Sequence, residues 1–223
     1  MARLPRIIIE GAIYHVISRG VKQSQIFLED TDRIDFLRLL KLAQGKYPFT
    51  LHNRSLMDNH YHLLMQPHAD TLSKIMHIVN STYGNRFNIR HGMTGHVLQG
   101  RFHSIPVETD AYLATVSRYI DLNAVRAGLV KRPEDYAWSS YRSTIMGVPD
   151  PLVDPSYILG YFGKDIGRQR DSYRRFVEDL IEKPEPITDK VLWRMRSWGN
   201  PVGRQTGANS TERPVPGNAL ISR

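Results

Sequence analysis

A chain of 223 residues, 41% hydrophobic and 23% charged, is long enough for one well-buried domain plus an extension and has the balance of a soluble globular protein. Its 30 Lys and Arg against 22 Asp and Glu give +8 at pH 7 and a pI near 9.8, which favours a polyanionic partner such as nucleic acid, because each cation meeting a phosphate releases a condensed counterion. The lack of cysteine excludes disulfides, thiolate zinc sites and cysteine nucleophiles; with no apolar run near the roughly 18 residues of a membrane span and no signal-peptide pattern, a cytoplasmic protein without a membrane partner is expected.

In chain order, Ala12–Ser18 is rich in β-branched and aromatic residues and ends at Arg19-Gly20, which predicts a first strand and its turn. Asp30-Thr31-Asp32 offers cap residues for a helix through Ile34, Leu37 and Leu40 that closes near Gly45. Phe49–Met57 and His60–Met65 are short runs joined by Asp58-Asn59, a pair that tolerates positive φ and suits a tight hairpin. Leu72, Ile75, Met76, Val79 and Tyr83 recur at helical spacing, so residues 71–88 form an amphipathic helix. Gly92–Gly100 reads as a mobile loop without a phosphate-binding fingerprint, so no nucleotide cofactor is expected. Residues 101–107 read as a strand that Pro106 keeps at an edge, and 109–127 as a helix capped by Thr109 and stopped by Gly128.

The order β-α-β-β-α-β-α predicts an α+β fold of the ferredoxin-like, split βαβ type: one antiparallel sheet with helices on one face. Beyond residue 145 the character changes. Pro149, Pro151 and Pro155 mark a linker, residues 168–183 form a charged helix, and 199–223 are a tail expected to lack fixed structure. The expected division is a domain over 1–145, a helical extension over 146–198 and the tail.

The candidate chemistry lies in Asp58-Asn59-His60-Tyr61-His62 and in the helix sixty residues later. On a strand, His60 and His62 share a face about 7 Å apart, a spacing that suits one divalent ion. Asn123 could add a carbonyl oxygen and Tyr119, one turn earlier, a hydroxyl nucleophile, with Tyr112 and Arg126 on the same helix flank. Together they read as a metal-assisted phosphoryl-transfer site. The bare His-x-His pattern is weak evidence, since nine histidines scattered at random would produce it in roughly a third of chains. The bland alternatives are a solvated histidine pair, flank tyrosines packed on the sheet, and an Asn that ends a helix. His15, His91, His96 and His103 read as loop or satisfied sheet residues. Arg19, Lys22, Arg86, Arg101 and Arg126 are the cations expected near a nucleic-acid strand.

Five words, in order over roughly residues 5–145, carry a family resemblance: Tyr14-His15-Val16-Ile17-Ser18-Arg19-Gly20; Met57-Asp58-Asn59-His60-Tyr61-His62-Leu63-Leu64; Gly100-Arg101-Phe102-His103-Ser104; Tyr119 through Val130; and Asp135-Tyr136-Ala137-Trp138-Ser139-Ser140-Tyr141. With them the chain resembles the HUH single-tyrosine transposases, most closely the REP-associated tyrosine transposase branch. The resemblance implies a ferredoxin-like fold, a divalent metal (Mg2+ or Mn2+) on His60, His62 and Asn123, and Tyr119 as the nucleophile. It also implies single-stranded DNA hairpins of repetitive extragenic palindrome type as partners, nicked and rejoined through a 5′-phosphotyrosine. The chain departs from the family pattern at Asp58 and Ala124, where relatives carry Pro, and at Tyr61, where they carry an aliphatic residue. A non-catalytic reader of structured nucleic acid and a replication-initiation nickase are the competing expectations, and a homodimer is left open.

Overall fold

The computed structural model describes residue 9 and residues 11–182; the expected tail 199–223, and the part of the 146–198 extension beyond residue 182, lie outside the described residues. The predicted hairpin is present: β2 (Phe49–Met57) and β3 (His60–Pro67) are joined across Asp58-Asn59, with Met57 opposite His60. Neither turn residue takes positive φ, however; among non-glycine described residues that conformation belongs to Lys22 and Gln23. The turn is instead held by its surroundings. The Asp58 carbonyl accepts the N–H groups of Ile26 (2.7 Å) and Phe27 (3.0 Å), and its carboxylate pairs with Arg33.

β1 (Ile13–Arg19) pairs antiparallel with β3, and β4 (His103–Val107) with β1, so the sheet order is β2-β3-β1-β4. Pro106 thus sits on an edge strand, as its missing N–H requires. The crossover helices α1 (Asp30–Lys46) and α2 (Leu72–His91) cover one face of the sheet. Tyr61 points to them: its ring lies 4.7 Å from that of Phe36 and its hydroxyl donates to Asn80 at 2.7 Å. Around it Tyr14, Val16, Leu63, Met65, Leu40, Ile75, Met76, Val79 and Tyr83 are buried in one core. Each large apolar side chain removed from water there contributes about 1.5–3 kcal/mol. This is the α+β, ferredoxin-like sheet with its helix pair on one face.

The opposite face is also covered, which the strand pattern did not indicate. The helix expected over 109–127 runs as α3 (Asp110–Asp121), capped by Thr109, and continues past Leu122 (φ −85°, ψ 0°) as the short α4 (Asn123–Arg126). α3 docks on β2 through Asn53, whose amide donates to Ser117 Oγ (2.7 Å) and Asp121 Oδ1 (3.0 Å) and accepts from Ser140 Oγ (2.8 Å). A bulge at His52 makes this contact possible: Leu51 pairs with Met65 but Asn53 with Leu64, so the alternation inverts and Asn53 turns to the second face.

The Pro-marked stretch expected as a linker lies along the outer edge of β2. There Asp154 N–H bonds Leu51 O at 2.8 Å, Asp150 pairs with Arg54 at 2.8 Å, and Leu56 N–H reaches Trp138 O at 3.1 Å, covering backbone groups that an open edge would expose. α5 (Tyr141–Met146), α6 (Ser156–Gly160) and α7 (Ile166–Glu182) complete the second layer. The charged helix expected over 168–183 is α7, and it docks on α3: Tyr173 hydroxyl meets Ser117 Oγ at 2.6 Å and donates to Asp121, while the Arg118 guanidinium lies 4.1 Å from the Phe176 ring centre. The Gly92–Gly100 loop, expected to be mobile, is tied to the end of β1 by hydrogen bonds from Val21 N–H to Val97 O (3.1 Å) and from Gln99 N–H to Arg19 O (2.8 Å). No helix among the described residues is long and apolar enough to cross a membrane.

Two predictions concern stability. A Cβ on Gly20 would lie 2.0 Å from the Ser24 carbonyl oxygen, whereas one on Gly45 meets nothing within 4 Å. Gly20→Ala should therefore lower the urea midpoint by the equivalent of about 1–3 kcal/mol, and Gly45→Ala should be neutral or stabilising by up to about 1 kcal/mol. Burial, partly opposed by the Tyr173 and Asn53 hydrogen bonds, raises the Asp121 carboxyl to about 7. The folded state therefore keeps a proton that the unfolded state has lost above its ordinary carboxylate pKa, so this group's contribution is full below that value and falls as pH rises toward 7. Relative to wild type, Asp121→Asn should gain stability between pH 5 and pH 8, checked by denaturant unfolding across that range.

Candidate active site

Strand alternation divides the His60-Tyr61-His62 triplet between the two faces: Tyr61 enters the core, and His60 and His62 face α3. Their ring centroids lie 4.9 Å apart and nearly perpendicular, closer than the backbone spacing because the side chains lean together. His15 of β1 stacks on His62 from the other side at 5.1 Å, and its Nε2 lies 2.9 Å from His62 Nδ1. His62 and His15 are 3% and 0% exposed, and burial drives both imidazoles toward the neutral form, His15 down to about 3 and His62 well below the ordinary histidine value.

A neutral imidazole has one lone-pair nitrogen, and hydrogen bonds decide which. His60 Nδ1 lies 2.6 Å from Asn59 Oδ1, while the Asn59 amide nitrogen donates to Gln23 O at 3.3 Å. The Asn59 oxygen can only accept, so His60 carries its proton on Nδ1 and its lone pair on Nε2. In His62, Nδ1 is occupied by His15, and Nε2 is a buried atom with no hydrogen-bond partner among the described residues. An unpartnered buried imidazole nitrogen, in the tautomer that leaves it unprotonated, beside a second imidazole with its lone pair on Nε2 is donor chemistry that could hold a first-row divalent ion.

From the facing helix, the Tyr119 ring lies 5.4 Å from that of His62 and 6.3 Å from that of His15, both edge-on. The phenol is 3% exposed, and the Arg126 guanidinium lies 5.2 Å from its ring centre, within cation–π range. Asn123, also buried, follows one turn after Tyr119, and its amide nitrogen donates to the Tyr119 carbonyl at 3.4 Å. The phenol, the imidazole pair and the cation thus meet within a single chain.

With this geometry in hand, residues 9–123, more than half of the chain, match the family described as Transposase IS200 like. The chain belongs to that family. Among solved structures it is similar to a REP-associated tyrosine transposase bound to a REP hairpin, at 18% identity over 74% of this chain and 93% of that one, with a TM-score of 0.57. A candidate transposase from Deinococcus radiodurans R1 aligns at 16% identity over 54% of this chain and 96% of that one, with a TM-score of 0.37. No curated protein matches.

The expected residues of this IS200-like transposase divide into two groups. His60, His62, Tyr119 and Arg126 come together, with Asn123 one turn away. Tyr112 lies two turns up the helix from Tyr119, half-buried near the Glu108 carboxylate. Arg19 stands opposite His60 in the sheet and donates to Gln99 Oε1 at 2.7 Å, and Lys22 and Arg101 are exposed in the adjoining loops. Arg86 is not brought to the site: it lies on α2, in the other layer, bonded to Asp35 at 2.7 Å. Of the three departures from the family pattern, Tyr61 fills the α1–α2 core, Asp58 serves the turn through Arg33, and Ala124 is buried with Met57 and Tyr136 in a small second cluster.

His15 was the residue missed. The word Tyr14-His15-Val16 marks it, but its partner depends on the register of β1 against β3, which no local pattern specifies. Among the described residues one further group of metal-type side chains, Glu29, Asp32 and His91, lies in the α1–α2 layer. Asp32 there, the third residue of α1, closes a capping box with the N-cap residue Glu29. It accepts the N–H groups of Leu28 (2.9 Å) and Glu29 (3.2 Å), pairs with Arg90 (2.5 Å) and His91 (3.0 Å), and these bonds outweigh burial to hold its carboxyl below the ordinary value.

The Asn59 contact gives a direct test. In the wild-type chain the His60 ring should be the Nδ1–H tautomer by nitrogen-15 chemical shifts. Asn59→Ala should move it to the Nε2–H form that predominates in unconstrained histidine, with the His62 signals changing far less.

Proposed function

We propose that this IS200-like transposase is a metal-dependent endonuclease and strand transferase that nicks and rejoins single-stranded DNA beside hairpins. The observation that carries the reading is the meeting of the Tyr119 phenol with the His60–His62 pair on one covered sheet face. The Tyr119 oxygen attacks a backbone phosphorus in line with the 3′-oxygen; the phosphorus–O3′ bond breaks, the phenol loses its proton, and the 3′-oxygen leaves as a hydroxyl. The resulting 5′-phosphotyrosine keeps an ester bond, so a 3′-hydroxyl attacking it expels the phenol and rejoins DNA without nucleotide hydrolysis. His60 and His62, with Asn123 as third ligand, would hold Mg2+ or Mn2+, which when bound supplies Lewis-acid polarisation of a non-bridging phosphate oxygen. The buried Nε2 of His62, without a hydrogen-bond partner among the described residues, supports that assignment.

Because Tyr119 is 3% exposed, DNA entry has to open its flank. The guanidinium of Arg126 over the ring is the group a phosphate would draw across, and it then neutralises charge beside the nucleophile. Arg19, Lys22 and Arg101 supply further cations at the His60 end of the sheet. The fold-sharing transposase is bound to a REP hairpin, and the net charge of +8 suits such a ligand.

Incubation with labelled single-stranded hairpins and Mn2+ should give a covalent protein–DNA band on a denaturing gel. Tyr119→Phe should abolish the band and leave hairpin affinity within about threefold, since the phenol's part is in the reaction rather than in binding. Cleavage that survives Tyr119→Phe overturns the assignment. Hairpin binding with no adduct from the wild-type chain supports the non-catalytic reader instead.

A further inference from the structure

We infer that His15 is a positioning residue that holds His62 in the tautomer whose Nε2 presents a lone pair. The inference rests on the proposed metal site and assigns a role to a third histidine outside it. His15 and His62 are diagonal neighbours on the α3 face, His15 standing opposite Leu64 and His62 opposite Ile17. Their facing nitrogens are 2.9 Å apart and the rings 27° from parallel.

Only one proton fits between His15 Nε2 and His62 Nδ1. If His62 donates it, His62 Nε2 carries a lone pair and His15 holds its own proton on Nδ1. If His15 donates it, His62 Nε2 carries hydrogen and cannot ligate. Both outer nitrogens, His15 Nδ1 and His62 Nε2, are buried without a hydrogen-bond partner among the described residues, so the protein alone offers each arrangement one orphaned N–H. A cation at His62 Nε2 breaks that balance, because it converts this nitrogen from an orphan into a ligand and leaves His15 as the acceptor behind it. Asn59 acts on His60 in the same way, through an oxygen that can only accept. Each member of the pair thus has a dedicated partner behind its Nδ1, one from the hairpin turn and one from β1.

The test uses the full chain and Mn2+ alone, with free Mn2+ read by electron paramagnetic resonance. His15→Phe removes the acceptor and keeps a flat ring; it should weaken Mn2+ binding about 10–100-fold. His15→Gln restores an accepting oxygen and should recover most of the affinity, which a role in packing alone would not produce. Equal Mn2+ binding by wild type and a folded His15→Phe overturns the role of His15 alone, whereas no Mn2+ binding by the wild-type chain overturns the metal site itself. Should His15→Phe fail to fold, nitrogen-15 shifts of the wild-type chain with Mg2+ decide: His15 protonated on Nδ1, which leaves its Nε2 to accept from His62, supports the inference, and His15 protonated on Nε2 overturns it.

Discussion

The alternation of β3 is the constraint on which the rest of the structure depends. Successive side chains leave a strand on opposite sides, so Tyr61 joins the α1–α2 core while His60 and His62 emerge beneath α3. A slip of one residue would exchange them, burying two imidazoles in an apolar layer and sending a tyrosine to the site. Tyr61 therefore acts as a register pin. Its ring packs on Phe36 and its hydroxyl is satisfied by Asn80, a combination no histidine at that position would reproduce.

The second layer serves as the lid and the frame of the site. Asp121, two residues past the nucleophile candidate, is bound by Asn53 from β2 and by Tyr173 from α7, so α3 is held from both sides within a turn of Tyr119. α7 thereby belongs to the positioning of the site, although it lies outside the segment that matches the family. Low polarity has a further effect there. It keeps His15 and His62 neutral and available as lone-pair donors, and it strengthens the action of any charge, Arg126 foremost, that reaches the phenol.

Orientation reaches His60 through the backbone. Lys22 (φ 53°) and Gln23 (φ 64°) adopt a left-handed conformation that side chains disfavour, and this turns the Gln23 carbonyl to receive the Asn59 amide. Asn59 in turn fixes the tautomer of His60. The close approach at Gly20, whose N–H bonds Asn59 O at 2.8 Å, keeps this loop against the hairpin.

The local pattern alone determined the strands, the two long helices, the hairpin and the pairing of His60 with His62, because each follows from a period of two or 3.6 residues and from cap and turn chemistry. Helical spacing offered Tyr119 and Asn123 as candidates beside flank-packing alternatives, and the motif words favoured their roles as nucleophile and ligand. What only the tertiary structure decided were the contacts set by register and by layering: His15 behind His62, Asn53 turned by the His52 bulge toward Asp121, Arg86 drawn away to Asp35, and the Pro-marked stretch laid along β2. Periodicity reports which face a residue occupies and is silent on what will cover that face. The second layer, and with it the surroundings of the site, emerges only when segments more than fifty residues apart are brought into contact.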